Sequence, residues 1–432
     1  MPGRIATLTL TILVALSAPA ETLRLNLSEA VQLALRGGTQ AELARSAEEQ
    51  AAVARREAFG SLLPQVDARL LRYSQSINLA TFGFQIPGQP PVVGPFNVTD
   101  AQLAAAMQVF NLAALRHVQA LRQAETATRY DVEAAENDVA AAVARLYLLA
   151  QRAATQVSSR EADVALFERL LKSARDEFAA GTGTRLDVAQ ANVQVARARQ
   201  ALLVAQNDEQ NAKLALLNAI GANQASDVTL TGVTAPPAPP GDAVARARAQ
   251  RPELKEIAAR EAAARLGVEA ARARRLPSLG FEYQGDLSGN KTNDLRYSRR
   301  IAGVVAVPLL HADIEAGVAR AKIEQHDVEI QHTQRERDVE QDVRRATLNV
   351  QNANARAAVA EESVRVAEEA LTVARDRRAA GYGSPVEVDR AQDAYRQARE
   401  DLIAARADAA AAAFDLAHAT GDIRTLVVEA KP

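Results

Sequence analysis

The sequence is one unit written twice, and that duplication limits what it can fold into. Gly181-Thr182-Gly183-Thr184-Arg185-Leu186-Asp187-Val188 recurs as Gly381-Tyr382-Gly383-Ser384-Pro385-Val386-Glu387-Val388, 200 positions later. The register then holds without a gap: Leu202 matches Leu402, and Asn218-Ala219-Ile220-Gly221 matches His418-Ala419-Thr420-Gly421. Earlier in the chain the offset is 213, so that Leu63-Pro64 pairs with Leu276-Pro277. The first copy therefore carries an insertion within the stretch 73–96. Two copies are too few for a solenoid array. They suggest two quasi-equivalent modules in one wall.

Residues 1–20 read as a cleaved export signal: Arg4, an apolar run from Ile5 to Leu16, and the small-residue site Ala18-Pro19-Ala20. The apolar run is shorter than the roughly 20 residues that cross a bilayer. The net charge of −2 excludes a strongly basic nucleic-acid binder. With no Cys there is no disulfide, thiolate metal site or catalytic thiol. The five His are scattered, and no phosphate-binding glycine loop or hydrolase motif is present. The expectation is a protein without enzymatic activity, cofactor or metal. Trp is absent and aromatics are only 4%, which argues against one large globular core.

Each copy reads helix, strand, loop, strand, very long helix, glycine tip, helix. The first copy is placed at 21–221, with strands at 65–75 and 98–109 and its tip at 179–185. A Pro-rich linker follows at 222–241. The second copy occupies 242–421, with strands at 278–287 and 300–309 and its tip at 379–385, and 422–432 is left as a tail. The opening helices are expected at 28–61 and 242–275, with Ser28 and Asp242 as N-caps and Pro64 and Pro277 closing them. After each of these prolines the period changes to two. Leu279, Phe281 and Tyr283 alternate with Gly280, Glu282 and Gln284, a strand pattern.

The long helices carry a seam with alternating four- and three-residue spacing. Positions 339, 343, 346, 350, 353, 357, 360, 364, 367, 371 and 374 are all Val, Ala or Leu. The same positions minus 200 are apolar with one exception, Arg160. The seam resumes beyond the tip at 388 and runs to 416. Each tip is thus the end of an antiparallel coiled-coil hairpin. A helix over 112–178 would span about 100 Å at 1.5 Å per residue, and two shorter helices end to end would match it. On this count the strands lie at one end of a rod and the tips at the other, with 222–241 and 422–432 near its middle.

Four strands cannot close a barrel, which needs about eight or more. An exported chain with a period-two apolar face and no transmembrane helix suggests an outer-membrane barrel assembled from several chains. A soluble exported coiled-coil adaptor or scaffold would explain the heptads but not the amphipathic strands.

Here the sequence resembles the TolC family of outer-membrane efflux proteins. The resemblance rests on Leu27-Ser28-Glu29-Ala30-Val31-Gln32-Leu33-Ala34-Leu35, the Leu-Pro pairs before the strands, and Val109-Phe110-Asn111 after them. At the tips it rests on Arg175, Phe178, Gly181, Asp187 and Val188, and on Arg375, Gly381, Glu387 and Val388, with Arg378 in place of the aromatic. It implies a mainly helical fold with a membrane β-barrel: a coiled-coil α-barrel and four strands per chain, closing as a homotrimer in outer-membrane lipid. It also implies an exit duct for an efflux or type I secretion system, joined through a periplasmic adaptor (membrane fusion) protein to an inner-membrane RND or ABC pump. The tips Gly181, Thr182, Gly183, Gly381, Tyr382 and Gly383 would meet the adaptor. Asp187, Arg378, Glu387 and Arg390 would form the gate, Asp187 pairing with Arg378 in the closed state. Where the family often has a second tip acid, this chain has Gln190 and Arg390, so a double acidic ring is not expected.

Overall fold

A computed structural model describes residues 22–83, 87–88, 90–232, 242–291 and 294–428. The export signal and residues 233–241 of the Pro-rich segment lie outside the described residues, as does part of the loop joining the first pair of strands. The described chain forms two compact units. One comprises 22–42, 136–246 and 342–428; the other comprises 43–135 and 247–341.

The first unit opens with strand β1 (Thr22–Leu25) and helix α1 (Leu27–Gly37). The cap of α1 is Asn26, not Ser28: Asn26 accepts from the Glu29 amide at 2.8 Å while Glu29 accepts from the Asn26 amide at 2.9 Å. This reciprocal box satisfies two donors that a lone Ser would leave to water. The expected helix 28–61 is two helices, because the chain breaks at Gly38. A Cβ there would lie 2.3 Å from the Ala34 carbonyl oxygen. The second piece, α2, runs over Thr39–Gly60.

Strand β2 (Gln65–Asn78) follows in the second unit and pairs antiparallel with β3 (Val92–Phe110). Both strands run further toward their shared loop than the 65–75 and 98–109 expected from alternation, because the ladder continues to Asn78↔Val92 beyond a bulge. Helix α3 (Leu112–Ala179) has 68 residues, and α4 (Arg185–Ile220) has 36. Strand β4 (Asp227–Leu230) pairs in parallel with β1. The segment expected as a plain linker thus contributes a strand. Helices α5 (Ala243–Gln250) and α6 (Pro252–Ala273) replace the single helix expected over 242–275. Pro252 has no amide to continue α5 and instead starts α6.

Strands β5 (Ser278–Gly289) and β6 (Arg296–Ala306) complete a four-stranded antiparallel sheet of order β2-β3-β5-β6. Strand β6 lies earlier than the expected 300–309. Arg296 already pairs with Ser288, and the ladder ends before Pro308, which cannot donate a hydrogen bond. Helix α7 (Ala312–Ala379) again has 68 residues and α8 (Pro385–Thr420) again 36.

Of the residues expected as a tail, Ile423–Val428 form helix α9, which is part of the core, and 429–432 lie outside the described residues. Ile423 is fully buried and Val427 nearly so, among Leu216, Leu217, Phe414 and Val31. Two ion pairs fix it, Arg246–Asp422 at 3.1 Å and Arg424 with Glu136. At the centre of this cluster Tyr147 is fully buried. Its hydroxyl accepts from the Thr231 amide at 3.0 Å and lies 2.8 Å from the Leu25 carbonyl, tying α3 to the β1–β4 pair. Burial raises its pKa, so the hydroxyl keeps its proton. The seam packs as its spacing requires: Val339, Val343, Ala346, Ala353, Ala360, Leu371 and Ala374 are all buried.

Candidate functional site

The two tips share one backbone design. Gly381 has φ +80° and ends α7; its amide donates to the Arg378 carbonyl (3.0 Å), and the Tyr382 amide donates to the Arg377 carbonyl (2.9 Å). This is a Schellman closure, which favours glycine because a Cβ is penalised at that φ. Gly383 is required for a different reason. A Cβ there would lie 2.8 Å from the Arg378 amide nitrogen, and its own amide is spent on the Arg377 carbonyl (3.0 Å). Gly181 and Gly183 repeat the pattern against Phe178 and Glu177. The glycine amides are therefore consumed within the turn. The side chains left for a partner are Thr182, whose hydroxyl donates to the Glu177 carbonyl (3.1 Å), and Tyr382, 83% exposed.

The helices after the tips start differently. Asp187 and Thr184 form a reciprocal box: the Thr184 amide and hydroxyl donate to Asp187 at 2.8 and 2.7 Å, and the Asp187 amide returns to the hydroxyl at 3.2 Å. Those hydrogen bonds, with a smaller contribution from Arg378, lower the Asp187 pKa. At the second tip Ser384 accepts from the Glu387 amide (3.4 Å) without a return bond from the Glu387 carboxylate, and Glu387 lines an open groove with Arg377, Val366, Val373 and Ala374. Arg378 and Asp187 feel each other's charge without forming an ion pair. Arg378 also attracts Asp389, whose pKa is raised by partial desolvation against that attraction. Arg390 is exposed.

Sequence reasoning missed a second site further from the tips. The seam exception Arg160 reaches across to Glu400 at 2.6 Å and to Asp163 at 3.5 Å. It is one rung of a ladder between α3 and α8: His418–Asp138 (2.8 Å), Arg145–Asp415 (2.7 Å), Arg152–Asp408 (3.9 Å) and Arg160–Glu400. The spacing of seven and then eight from Arg145 through Arg152 to Arg160 on α3, matched in reverse by Asp415, Asp408 and Glu400 on α8, was the available signal. Asp163 is buried, and desolvation raises its pKa against the pull of Arg160, Arg396 and Arg399. Beside it the Gln392 amide and Arg396 Nε are buried without a hydrogen-bond acceptor. The hairpins α3–α4 and α7–α8 are thus joined through α3 and α8. That leaves α4 and α7 as the outer helices of the set.

A family model described as outer membrane efflux protein matches residues 31–222 and 243–422. The chain belongs to the outer membrane efflux protein family. The outer membrane efflux protein BepC of Brucella suis biovar 1 (strain 1330) is 26% identical over 335 residues, covering 76% of this chain and 69% of that protein. The crystal structure of CusC, described in terms of transmembrane channel formation, superposes with a TM-score of 0.80 at 18% identity, over 94% of this chain and 95% of that one. The outer membrane channel CmeC of Campylobacter jejuni gives 0.78 at 18% identity, over 92% and 85%. At these identities the structures speak for the fold. The family resemblance read from the tips and Leu-Pro pairs therefore holds, and family membership places the chain in the outer membrane.

Proposed function

We propose that three copies of this outer membrane efflux protein close into one duct, through which an inner-membrane pump of the RND or ABC type exports its cargo. The observation that carries this is an open edge at each side of the chain. Among the described residues the sheet ends in β2 and β6, neither with a further partner strand, and exposed edges of this length invite pairing. The helix set ends in α4 and α7, and each presents an exposed apolar stripe.

On α4 the stripe holds Ala189, Ala196, Leu203 and Leu214; on α7 it holds Val373, Val366, Val359 and Leu348. The stripes match when counted from the tips. Leu203 stands 22 residues past Gly181 and Val359 22 residues before Gly381; Leu214 and Leu348 stand 33 from the same glycines. Because α4 leaves its tip as α7 approaches its own, the α4 of one copy can lie antiparallel to the α7 of the next, in register. The repeated order of elements, with helices of 68 and 36 residues in each half, supports two quasi-equivalent modules per copy, hence six around a trimer. A soluble scaffold has no use for the amphipathic sheet.

The tips would then converge at the periplasmic end. Tyr382 and Thr182 offer the adaptor contact. Asp187, Arg378, Glu387 and Arg390, joined by Asp389, set the aperture. The pull of Arg378 on Asp187, which belongs to the other hairpin, supports an attraction that holds the tips together. Single-channel conductance in planar bilayers tests this. Arg378→Asp turns the attraction into repulsion and is expected to raise conductance more than Arg378→Ala. Unchanged conductance in Arg378→Asp would remove the gate from the account.

A further inference from the structure

We propose that the outward face of the sheet carries a binding site for the phosphate of a lipid headgroup, built by Arg299, Tyr297 and Tyr283. It rests on reading the apolar face as the one that meets lipid. The pairing register assigns every strand residue to one of two faces. One face holds Asp67, Arg69, Asp100, Glu282, Asp286 and Arg300, with Gln102 donating to Asp286 at 2.9 Å and Arg300 to Gln284 at 3.0 Å. The other face holds Val66, Leu70, Leu103, Met107, Phe281 and Ile301.

Two cations interrupt that apolar face, Arg72 opposite Thr99 and Arg299 opposite Gly285. Among the described residues of the sheet, no Asp or Glu shares the face with them. An arginine on the lipid face costs about 2–4 kcal/mol at the bilayer midplane and little near the interface. Arg299 lies within the ladder, three residues from the loop end of β6. Its surroundings are those of a receptor rather than of a stray charge. Gly285 has no side chain, and the Tyr283 ring takes the place that a Cβ there would occupy. The Tyr283 hydroxyl folds over Gly285 and meets the Tyr297 hydroxyl at 2.9 Å. Arg299 pairs with Gly285 across the ladder and its charge acts on the Tyr283 hydroxyl, so two paired hydroxyls and a cation share one stretch of this face. A guanidinium fork matches a phosphate bidentately. Tyrosines with an apolar body and a polar end sit where acyl chains give way to headgroups. A phosphate-bearing amphiphile supplies both the missing anion and the acyl chains for Leu287 and Ile301 on either side.

The test uses the purified full-length assembly in mild detergent, with phosphatidylglycerol as probe and native mass spectrometry as readout. Retained lipid is expected on the wild type and on Arg300→Gln, whose side chain lies on the opposite face. Arg299→Gln is expected to retain about tenfold less, the size of a lost charge-assisted contact, and Tyr297→Phe an intermediate amount. Equal retention in Arg299→Gln and Arg300→Gln would overturn the site. So would displacement of the lipid by an equal concentration of inorganic phosphate, which would make the ligand a free anion. The underlying reading is checked separately. A fluorophore on Ile301→Cys, the only cysteine in such a chain, is expected to be quenched by brominated lipid. Absence of quenching would refute the lipid-facing assignment and the site together; quenching without selective retention would refute the site alone.

Discussion

Arg160 stands where the coiled-coil seam calls for an apolar side chain, and the fold uses it to join two hairpins rather than to fill one. Its guanidinium serves Glu400 and Asp163 in a partly buried setting, where removing one partner strands the other. Arg160→Ala is therefore expected to destabilise the helical unit by on the order of 2 kcal/mol, read as a lower apparent Tm. Asp163 behaves oppositely. Its folded pKa lies above its unfolded value because burial outweighs the arginines around it. A group raised in this way contributes stability that is present below the unfolded carboxylate pKa and is lost as pH rises through the folded pKa. Asp163→Asn is thus expected to come closest to the wild type in apparent Tm below about pH 4 and to gain on it as the pH rises to 8. A variant that falls further behind at pH 8 would show that the charged carboxylate stabilises the cluster. At the tips, Gly383→Ala forces a Cβ against the Arg378 backbone. Faster trypsin cleavage at Arg377 and Arg378 is the expected result, and an unchanged rate would mean the turn adapts.

Among the elements, the long helices and their return helices were legible because period and length are local properties. The Gly38 break was not read as one, although Gly37-Gly38 is a local breaker and the Ala34 carbonyl that crowds it is only four residues away. Nor was α9. Six residues after a glycine cap look like a frayed end, and only the neighbouring Leu216, Leu217 and Phe414 make Ile423 and Val427 core residues. The tip glycines were read as turn formers or partner contacts. The amide bonds to Glu177 and Arg377 show that turn formation uses their donors first. The α3–α8 ladder was hidden because an Arg every seven or eight residues looks like a solvated face until the second helix is in place. Ending the chain after Gly421 would expose the surface covered by Ile423 and Val427, each worth about 1.5–3 kcal/mol when fully buried. Such a truncation is expected to lower the apparent Tm and the yield of folded protein. Wild-type behaviour would make α9 dispensable.

For the whole molecule, the duplicated order and the amphipathic strands point to a multi-chain duct from the amino-acid sequence alone, because a four-stranded sheet with two free edges is incomplete by itself. The sequence did not show which helices a neighbouring copy would meet. The proposed seam rests on α3 and α8 being taken within the chain, which leaves α4 and α7 with apolar stripes at equal distances from their tips. The chain has no native cysteine, so a single engineered pair gives an unambiguous answer. In Leu203→Cys/Val359→Cys, mild oxidation of the intact outer membrane is expected to yield a covalent closed trimer on denaturing gels. The control Leu203→Cys/Leu348→Cys, whose members are 22 and 33 residues from their glycines, is expected to remain monomeric. Oxidised Leu203→Cys/Val359→Cys that stays monomeric, or crosslinks only as a dimer, would contradict the three-chain duct.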